Sequence, residues 1–320
     1  ITENNFIQQA ATATLSGSIT VYMFNDRTQG YLSTASDLSF VYANNKEVTL
    51  TDVWSVGNLN LKGMTGTGEA NAVVINTNGQ SLSINGNLTL SEAAGGNYQR
   101  LGKVVFQNAT TALVTGNVSV GQGGVVTKGY FHVQDTAGSP SITVNGNWLL
   151  DDMDVILASA NISVKGNVSF SNINTDAENP TGIDAGTSVV TLNGTADQTL
   201  TAANKLDNNG DEIVEFYDLT INNTSADAGT DDIIVAWDGT HPLDIDHDLY
   251  IQDGELDLNT YDPIVNVAGA LKVDPNGTFT AGSRTLNLWG TAASYMDANV
   301  DPDRTVWTDG TLYIRSDLSQ

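Results

Sequence analysis

Apolar and polar residues alternate along most of this chain, and at regular intervals a glycine occupies one of the apolar slots. The clearest copies are LSINGNLTL (82–90), ALVTGNVSV (112–120), ITVNGNWLL (142–150), ISVKGNVSF (162–170) and VNVAGALKV (265–273). In each, apolar residues sit at every second position on both sides of the glycine, the period of a strand with one buried face. The glycine thus takes an inward-facing slot from which a side chain is missing. Weaker copies centre on Gly17, Gly57, Gly194, Gly290 and Gly310. From Gly57 to Gly194 the intervals are 29, 30, 30, 20 and 28 residues, and 21 and 20 separate Gly269, Gly290 and Gly310. Intervals of this size are those of a solenoid, in which one short unit stacks on the next.

Two geometries put a glycine between two short strands. An Asn-Gly type I′ hairpin fits Asn85-Gly86, Asn145-Gly146 and Asn193-Gly194 and gives an antiparallel meander. The other copies place Thr115, Lys165, Ala268 and Val56 before the glycine, where that turn demands a positive φ that is costly for Thr and Val. A solenoid corner needs only a bend with no room for a Cβ. The pattern therefore predicts an all-β fold, a single-stranded parallel β-solenoid (β-helix) of about ten coils with polar loop excursions. At the ~4.8 Å strand spacing this is a rod on the order of 50 Å long. Residues 1–50 read as an N-terminal arm and strand region, a cap or subunit-exchange segment, and residues 51–320 as the solenoid. Thr175–Thr187 and Ala202–Ile213 read as polar excursions, where binding surfaces tend to lie.

Composition agrees: 31 glycines, 15% charged residues and no long helix-forming runs. The net charge of −25 and pI near 4.1 argue against nucleic acid and anionic lipid, both of which need a basic surface. No cysteine is present, which removes disulfides and thiolate metal sites. No run of 18 apolar residues predicts membrane insertion through a helix. A chain starting at Ile1 is expected where a leader has been removed. Nine N-x-S/T sequons, at Asn87, Asn108, Asn117, Asn161, Asn167, Asn193, Asn222, Asn223 and Asn276, are candidate glycosylation sites.

Catalytic equipment is sparse. The three histidines, His132, His241 and His247, belong to no G-x-S-x-G or H-E-x-x-H pattern, and the Gly121–Gly124 cluster runs into a strand pattern rather than a helix. His247 takes the corner slot that glycine holds elsewhere and reads as a hydrogen-bonded structural histidine. The acidic residues carry more chemistry. Asp244, Asp246 and Asp248 alternate with Leu243, Ile245 and His247, so they are expected on one outer face, and Asp253, Glu255 and Asp257 repeat the pattern. Stacked carboxylates repel, and calcium would relieve that repulsion. Asp207, Asn209 and Asp211 form a second oxygen-rich stretch, without the length or terminal Glu of an EF-hand. A solvated acidic face is the plainer expectation at both places. Paired carboxylates also serve glycosidases, but no pair stands out here. By register Trp148 points inward, while Trp289 and Trp307 point outward, toward a sugar or a subunit contact.

The units INGNLTL, VNGNWLL and VKGNVSF, with FYDLTINN (216–223) and LDLNTYDPIVNVAGALKV (256–273), resemble the repeats of secreted β-solenoid surface proteins of bacteria and archaea. These include large adhesins, autotransporter-like passengers and S-layer-associated or filament-forming proteins. The resemblance implies an extracellular or cell-surface role, structural or adhesive, and carries over no catalytic residue. A solenoid end without a polar cap recruits another chain: the unit TVWTDGTLYIRSDLSQ (305–320) shows no polar cap, keeping the repeat pattern to within six residues of the end, and at the other end residues 11–24 form an apolar alternating strand preceded by a polar arm. The leading expectation is a non-enzymatic subunit that self-associates into a filament or surface layer, with its N-terminal strand adding to the next copy. Leu15, Ile19, Val21, Trp289 and Trp307 are the candidate interface residues. The alternatives are a monomeric adhesin or carbohydrate-binding rod on cell-surface polysaccharide, and a β-helical polysaccharide-degrading enzyme.

Overall fold

The computed structural model describes residues 17–41, 45–63, 65–66, 72–93, 99–119, 129–134, 137–151, 153–171, 183–202, 215–225, 232–237, 242–281, 283, 285–288, 305–307 and 311–314. No helix occurs among them. The chain divides into two compact units, Ile1–Ala160 and Asn161–Gln320.

In the first unit each coil contributes up to three strands, and successive coils stack these into parallel ladders. One ladder runs through Ser18–Tyr22, Asp37–Val41, Leu59–Lys62, Leu88–Thr89, Val118–Ser119 and Trp148–Asp151. A second runs through Arg27–Gln29, Lys46–Leu50, Val73–Asn76, Gln99–Gln107, Gly129–Gln134 and Met153–Ile156. The third holds Leu32–Ser33, Trp54–Val56, Leu82–Ile84, Thr111–Val114 and Ser141–Val144. The only antiparallel pairs among the described residues join Gln99–Leu101 to Thr65–Gly66 and to Ser91–Ala93. With every ladder parallel, and no positive φ at Asn85 or Asn145, the hairpin geometry is excluded and the fold is a parallel β-solenoid.

Period-two patterning becomes columns of like residues. Leu32, Trp54, Leu82, Ala112 and Ile142 share one register, and Ile19, Leu38, Leu59, Leu88, Val118 and Trp148 another. All are buried except Ile19, which belongs to the first coil and is half-buried, as is Val21 beside it. Ring contacts knit the interior: Phe40 stacks on Trp54 at 6.2 Å, and Phe131 lies 5.0 Å from Phe106 and 5.7 Å from Trp148. Each such side chain stabilises by roughly 1.5–3 kcal/mol through burial, so stability accrues coil by coil. Residues 18–50 build the first two coils, and Ser18–Tyr22 is held by Asp37–Val41 of its own chain. The second ladder differs from its neighbours. Gly129–Val133 is buried on both faces, so the outward-facing Lys103, Tyr130, His132 and Asp154 are buried as well.

The second unit uses the same plan with longer strands. One ladder joins Asn161–Val164, Val189–Leu192, Asp218–Asn222 and the starts of Leu249–Asp257 and Leu271–Ala281. Another joins Val168–Ser171, Gln198–Ala202, Asp232–Trp237, the ends of those two long strands and Thr305–Trp307. A third holds Glu215–Phe216, Leu243–Ile245, Val265–Val267, Thr285–Leu288 and Thr311–Ile314. Leu249–Asp257 turns from one ladder into the next through an irregular register near Asp253, with Gly254 at φ +82°.

Candidate functional site

Polar side chains along the coil corners form a continuous device. In the first unit Asp37 Oδ1 accepts hydrogen bonds from the backbone N–H and the Nδ2 of Asn58, at 2.9 and 2.8 Å. Asn58 Oδ1 in turn accepts the N–H of Asn87 at 2.7 Å, Asn87 that of Asn117 at 2.8 Å, and Asn117 that of Asn147 at 2.7 Å. Each asparagine follows the corner glycine and satisfies a backbone donor one coil further on, where the bend interrupts the ladder bonds. A Cβ on Gly116 would collide with Asn87 Oδ1 and lie 2.8 Å from the Gly86 carbonyl oxygen; one on Gly146 would lie 2.5 Å from both Asn117 Oδ1 and the Gly116 carbonyl oxygen. Gly86, Gly116 and Gly146 are half-buried, not core. What removes their side chains is the preceding coil's asparagine and carbonyl, a correction to the expectation of a crowded interior.

In the second unit the device acquires charge. Asn167 Oδ1 accepts the N–H of Thr199, Asp218 Oδ1 that of Asp248 at 2.9 Å, and Asp248 Oδ1 that of Ala270 at 2.8 Å. His247 occupies the corner slot as its sequence position implies: its N–H donates to the Tyr217 carbonyl, and its own carbonyl accepts the Gly269 N–H. Its ring stacks on Tyr217 at 4.9 Å and its Nδ1 lies 2.8 Å from Asp218 Oδ1. The side chain is 48% exposed, so this slot opens to solvent.

Asp218, His247 and Asp248 are the one group of three or more such residues among those described whose donor atoms lie within 4.8 Å of one another. Their atoms already have partners. Asp248 Oδ2 pairs with Lys272 Nζ at 2.8 Å, which supplies the positive charge a metal would otherwise bring. Burial disfavours the Asp248 carboxylate, but the bonds from Lys272 and the Ala270 N–H, with the nearby charges of His247 and Lys272, outweigh it and hold its pKa below the usual range.

The sequence trio of Asp244, Asp246 and Asp248 does not converge, because the chain bends at Asp246 and His247. Asp244 Oδ1 accepts from Asn266 Nδ2 at 2.7 Å, and Asn266 Oδ1 accepts from Asn287 Nδ2 at 2.7 Å, a second polar column across Leu243–Ile245, Val265–Val267 and Thr285–Leu288. Burial raises the pKa of Asp244 above the ordinary carboxyl value against that bond, and the charge of Asp246 raises it further. Glu215, in register with Asp244, is pushed up to about 7 by burial first, then by the charge of Asp246 and a hydrogen bond with it, and by the charge of Asp184. Asp253 and Asp257 are bonded locally, by the Gly254 N–H and by the Asn259 and Thr260 N–H groups, while Glu255 accepts the Thr280 hydroxyl of the neighbouring strand. Asp207, Asn209 and Asp211, with Leu15, Trp289 and the side chain of Trp307, lie outside the described residues.

The sequons are sorted by environment. Asn87, Asn117 and Asn167 belong to the corner device; Asn87, Asn161, Asn167 and Asn276 are exposed; Asn117, Asn193 and Asn222 are half-buried. Asn108 sits half-buried in a turn at φ +56°. Asn223 is fully buried, and its Nδ2, the atom a glycan would use, donates to the Ala196 carbonyl at 2.7 Å. A glycan at Asn223 would have to displace that bond.

Two features escaped sequence reasoning. Gln198, almost fully buried, donates to the carbonyls of Val164 and Gly166 at 3.1 and 2.6 Å and accepts the Gly194 N–H at 2.7 Å, closing the corner beside the bond from the Thr199 N–H to Asn167. Its place two residues before Leu200 in the alternation was the available signal. His132 Nε2 lies 3.4 Å from Asp154 Oδ2, a buried pair that the two-sided burial of residues 129–133 brings about. No family model, curated protein or solved structure matches the chain.

Proposed function

We propose that this chain is a non-enzymatic, extracellular structural protein that self-associates into a filament or surface layer through its first coil. The observation that carries the reading is the state of that coil. Among the described residues Ser18–Tyr22 pairs only with Asp37–Val41, and its inward-facing Ile19 and Val21 are half-buried, whereas Leu38 and Phe40 one coil on are completely buried. A strand edge of this kind adds another strand, and covering the end of an apolar column contributes about 25 cal/mol per Å². Because the first strand is held within its own chain, the contact proposed is edge-to-edge addition of a second copy. A contact between unlike surfaces that does not close propagates, which is what a filament needs. The extracellular assignment rests on the resemblance of the repeats to surface proteins.

Sedimentation velocity and negative-stain electron microscopy of the 320-residue chain at rising concentration test this reading. Open-ended growth of assemblies is expected. A monomer at every concentration, or growth that stops at two copies, overturns it.

A further inference from the structure

We infer that His132 and Asp154, on the outer face of the second ladder of the first unit, form a binding site for a divalent transition-metal ion of the zinc class. Both residues are more than nine-tenths buried, at 5% and 7% exposure. His132 Nε2 and Asp154 Oδ1 are buried without a hydrogen-bond partner. Such atoms cost stability unless a water or an ion meets them. The nearest group to Nε2 is the other carboxylate oxygen, Asp154 Oδ2, at 3.4 Å. That is too long for a charge-assisted hydrogen bond, which runs at about 2.7–2.9 Å. The protein makes such a bond elsewhere, where His247 Nδ1 lies 2.8 Å from Asp218 Oδ1. The longer separation matches instead the edge of a tetrahedral coordination shell. Bonds of about 2.0–2.1 Å to nitrogen and 2.0–2.2 Å to oxygen, at the tetrahedral angle, set two donors about 3.3–3.5 Å apart.

The ladder fixes this geometry. Tyr130 is in register with Asp154 and His132 with Ile156, so the two donors stand on neighbouring strands and on the same face. The Tyr130 ring meets that of His132 edge-on at 5.8 Å and limits its rotation. Donors held on rigid strands keep the spacing that a metal needs. No Lys or Arg pairs with Asp154 among the described residues. Lys103 is in register with Tyr130 on the opposite side, two strand spacings or about 10 Å from Asp154 along the ladder. This sets the pair apart from Asp248, whose charge Lys272 already answers. An imidazole nitrogen with one carboxylate suits zinc and its first-row neighbours rather than calcium or magnesium, which take oxygen ligands. With water at the remaining positions, the ion ties Gly129–Gln134 to Met153–Ile156 and stabilises the folded chain by binding only there.

The test measures zinc binding by the full chain with isothermal titration calorimetry in excess calcium. Residues 1–160 carry six Lys and Arg against eleven Asp and Glu, a net charge of −5, while residues 161–320 carry six against twenty-six, a net charge of −20. Calcium is present to occupy weak sites on that acidic surface. One zinc ion per chain is expected to bind, with a rise in melting temperature. His132→Gln and Asp154→Asn should each weaken binding about 100-fold or more, because even the outer partners of a metal ligand are worth about 10- to 100-fold. His247→Gln is the control and should bind as the unaltered chain does, with circular dichroism to verify the fold of each variant. A second measurement uses the unaltered chain. It has three histidines, so nitrogen NMR resolves each ring, and zinc should move Nε2 of His132 while leaving His247 in place. If no zinc binds, if binding survives both His132→Gln and Asp154→Asn, or if His247 responds and His132 does not, the site is overturned.

Discussion

Gly116 is kept free of a side chain by Asn87, and the two residues are therefore energetically coupled. Gly116→Ala places a methyl group against Asn87 Oδ1 and the Gly86 carbonyl, and is expected to cost about 2 kcal/mol or more. Asn87→Ala alone removes the acceptor of the Asn117 N–H and should cost about 1 kcal/mol. In the double variant the side-chain part of the clash is gone, so the combined loss should fall short of the sum. Urea unfolding of the four proteins measures this. Strict additivity would mean that the carbonyl, not the asparagine, excludes the side chain. The same pairing gives the repeat its chemical sense: each glycine leaves a space, and the asparagine of the preceding coil fills it.

At the level of elements, the strands Glu215–Phe216 and Leu243–Ile245 set carboxyl groups side by side, with Asp246 just beyond. The folded-state pKa of Glu215 lies near 7, above its ordinary value of 4.5, so the native state holds the proton more tightly than the unfolded chain. Its contribution to stability is complete below pH ~4.5 and is lost as pH rises through about 7. The melting temperature should therefore decline between pH 5 and 8, and Glu215→Gln should flatten that decline and melt higher than the unaltered chain at pH 8. A parallel pH profile in the variant removes Glu215 as the cause. Much of this architecture was legible beforehand. Leu82, Ile84, Leu88 and Leu90 are all buried, as alternation required, and Trp148 is in the core. What remained hidden depends on which coil lies next to which. Asn87 and Asn117 stand 30 residues apart in sequence, and no local pattern says that one side chain caps the other's backbone. For the same reason three aspartates in a strict alternation, Asp244, Asp246 and Asp248, were expected to act together. A bend between them sends each to a different partner, Asn266, Glu215 and Lys272.

For the whole molecule the dominant fact is the uneven charge, with −20 of the −25 in residues 161–320. Like-charged side chains even meet in register, as Asp232 does with Glu255. Added salt shortens the reach of these repulsions, to about 10 Å at 0.1 M and about 3 Å at 1 M. Scanning calorimetry should therefore show a rising melting temperature between low and roughly 1 M sodium chloride, with the gain confined to the second unit if two transitions resolve. No change with salt would show that the acidic surface is already neutralised by its hydrogen bonds and by Lys272.

The corner hydrogen bonds also bear on how the protein ages. An Asn-Gly sequence in a loose chain deamidates when the glycine nitrogen attacks the asparagine side chain and closes a succinimide ring. At Asn145-Gly146 that nitrogen is bonded to the Gly116 carbonyl at 3.0 Å, and at Asn193-Gly194 to Gln198 Oε1 at 2.7 Å. With the attacking atom held against the preceding coil or a buried glutamine, the ring cannot close without opening the corner. Two chemically fragile dipeptides are thereby protected, and the rate at which they decay becomes a clock for how often these corners come apart.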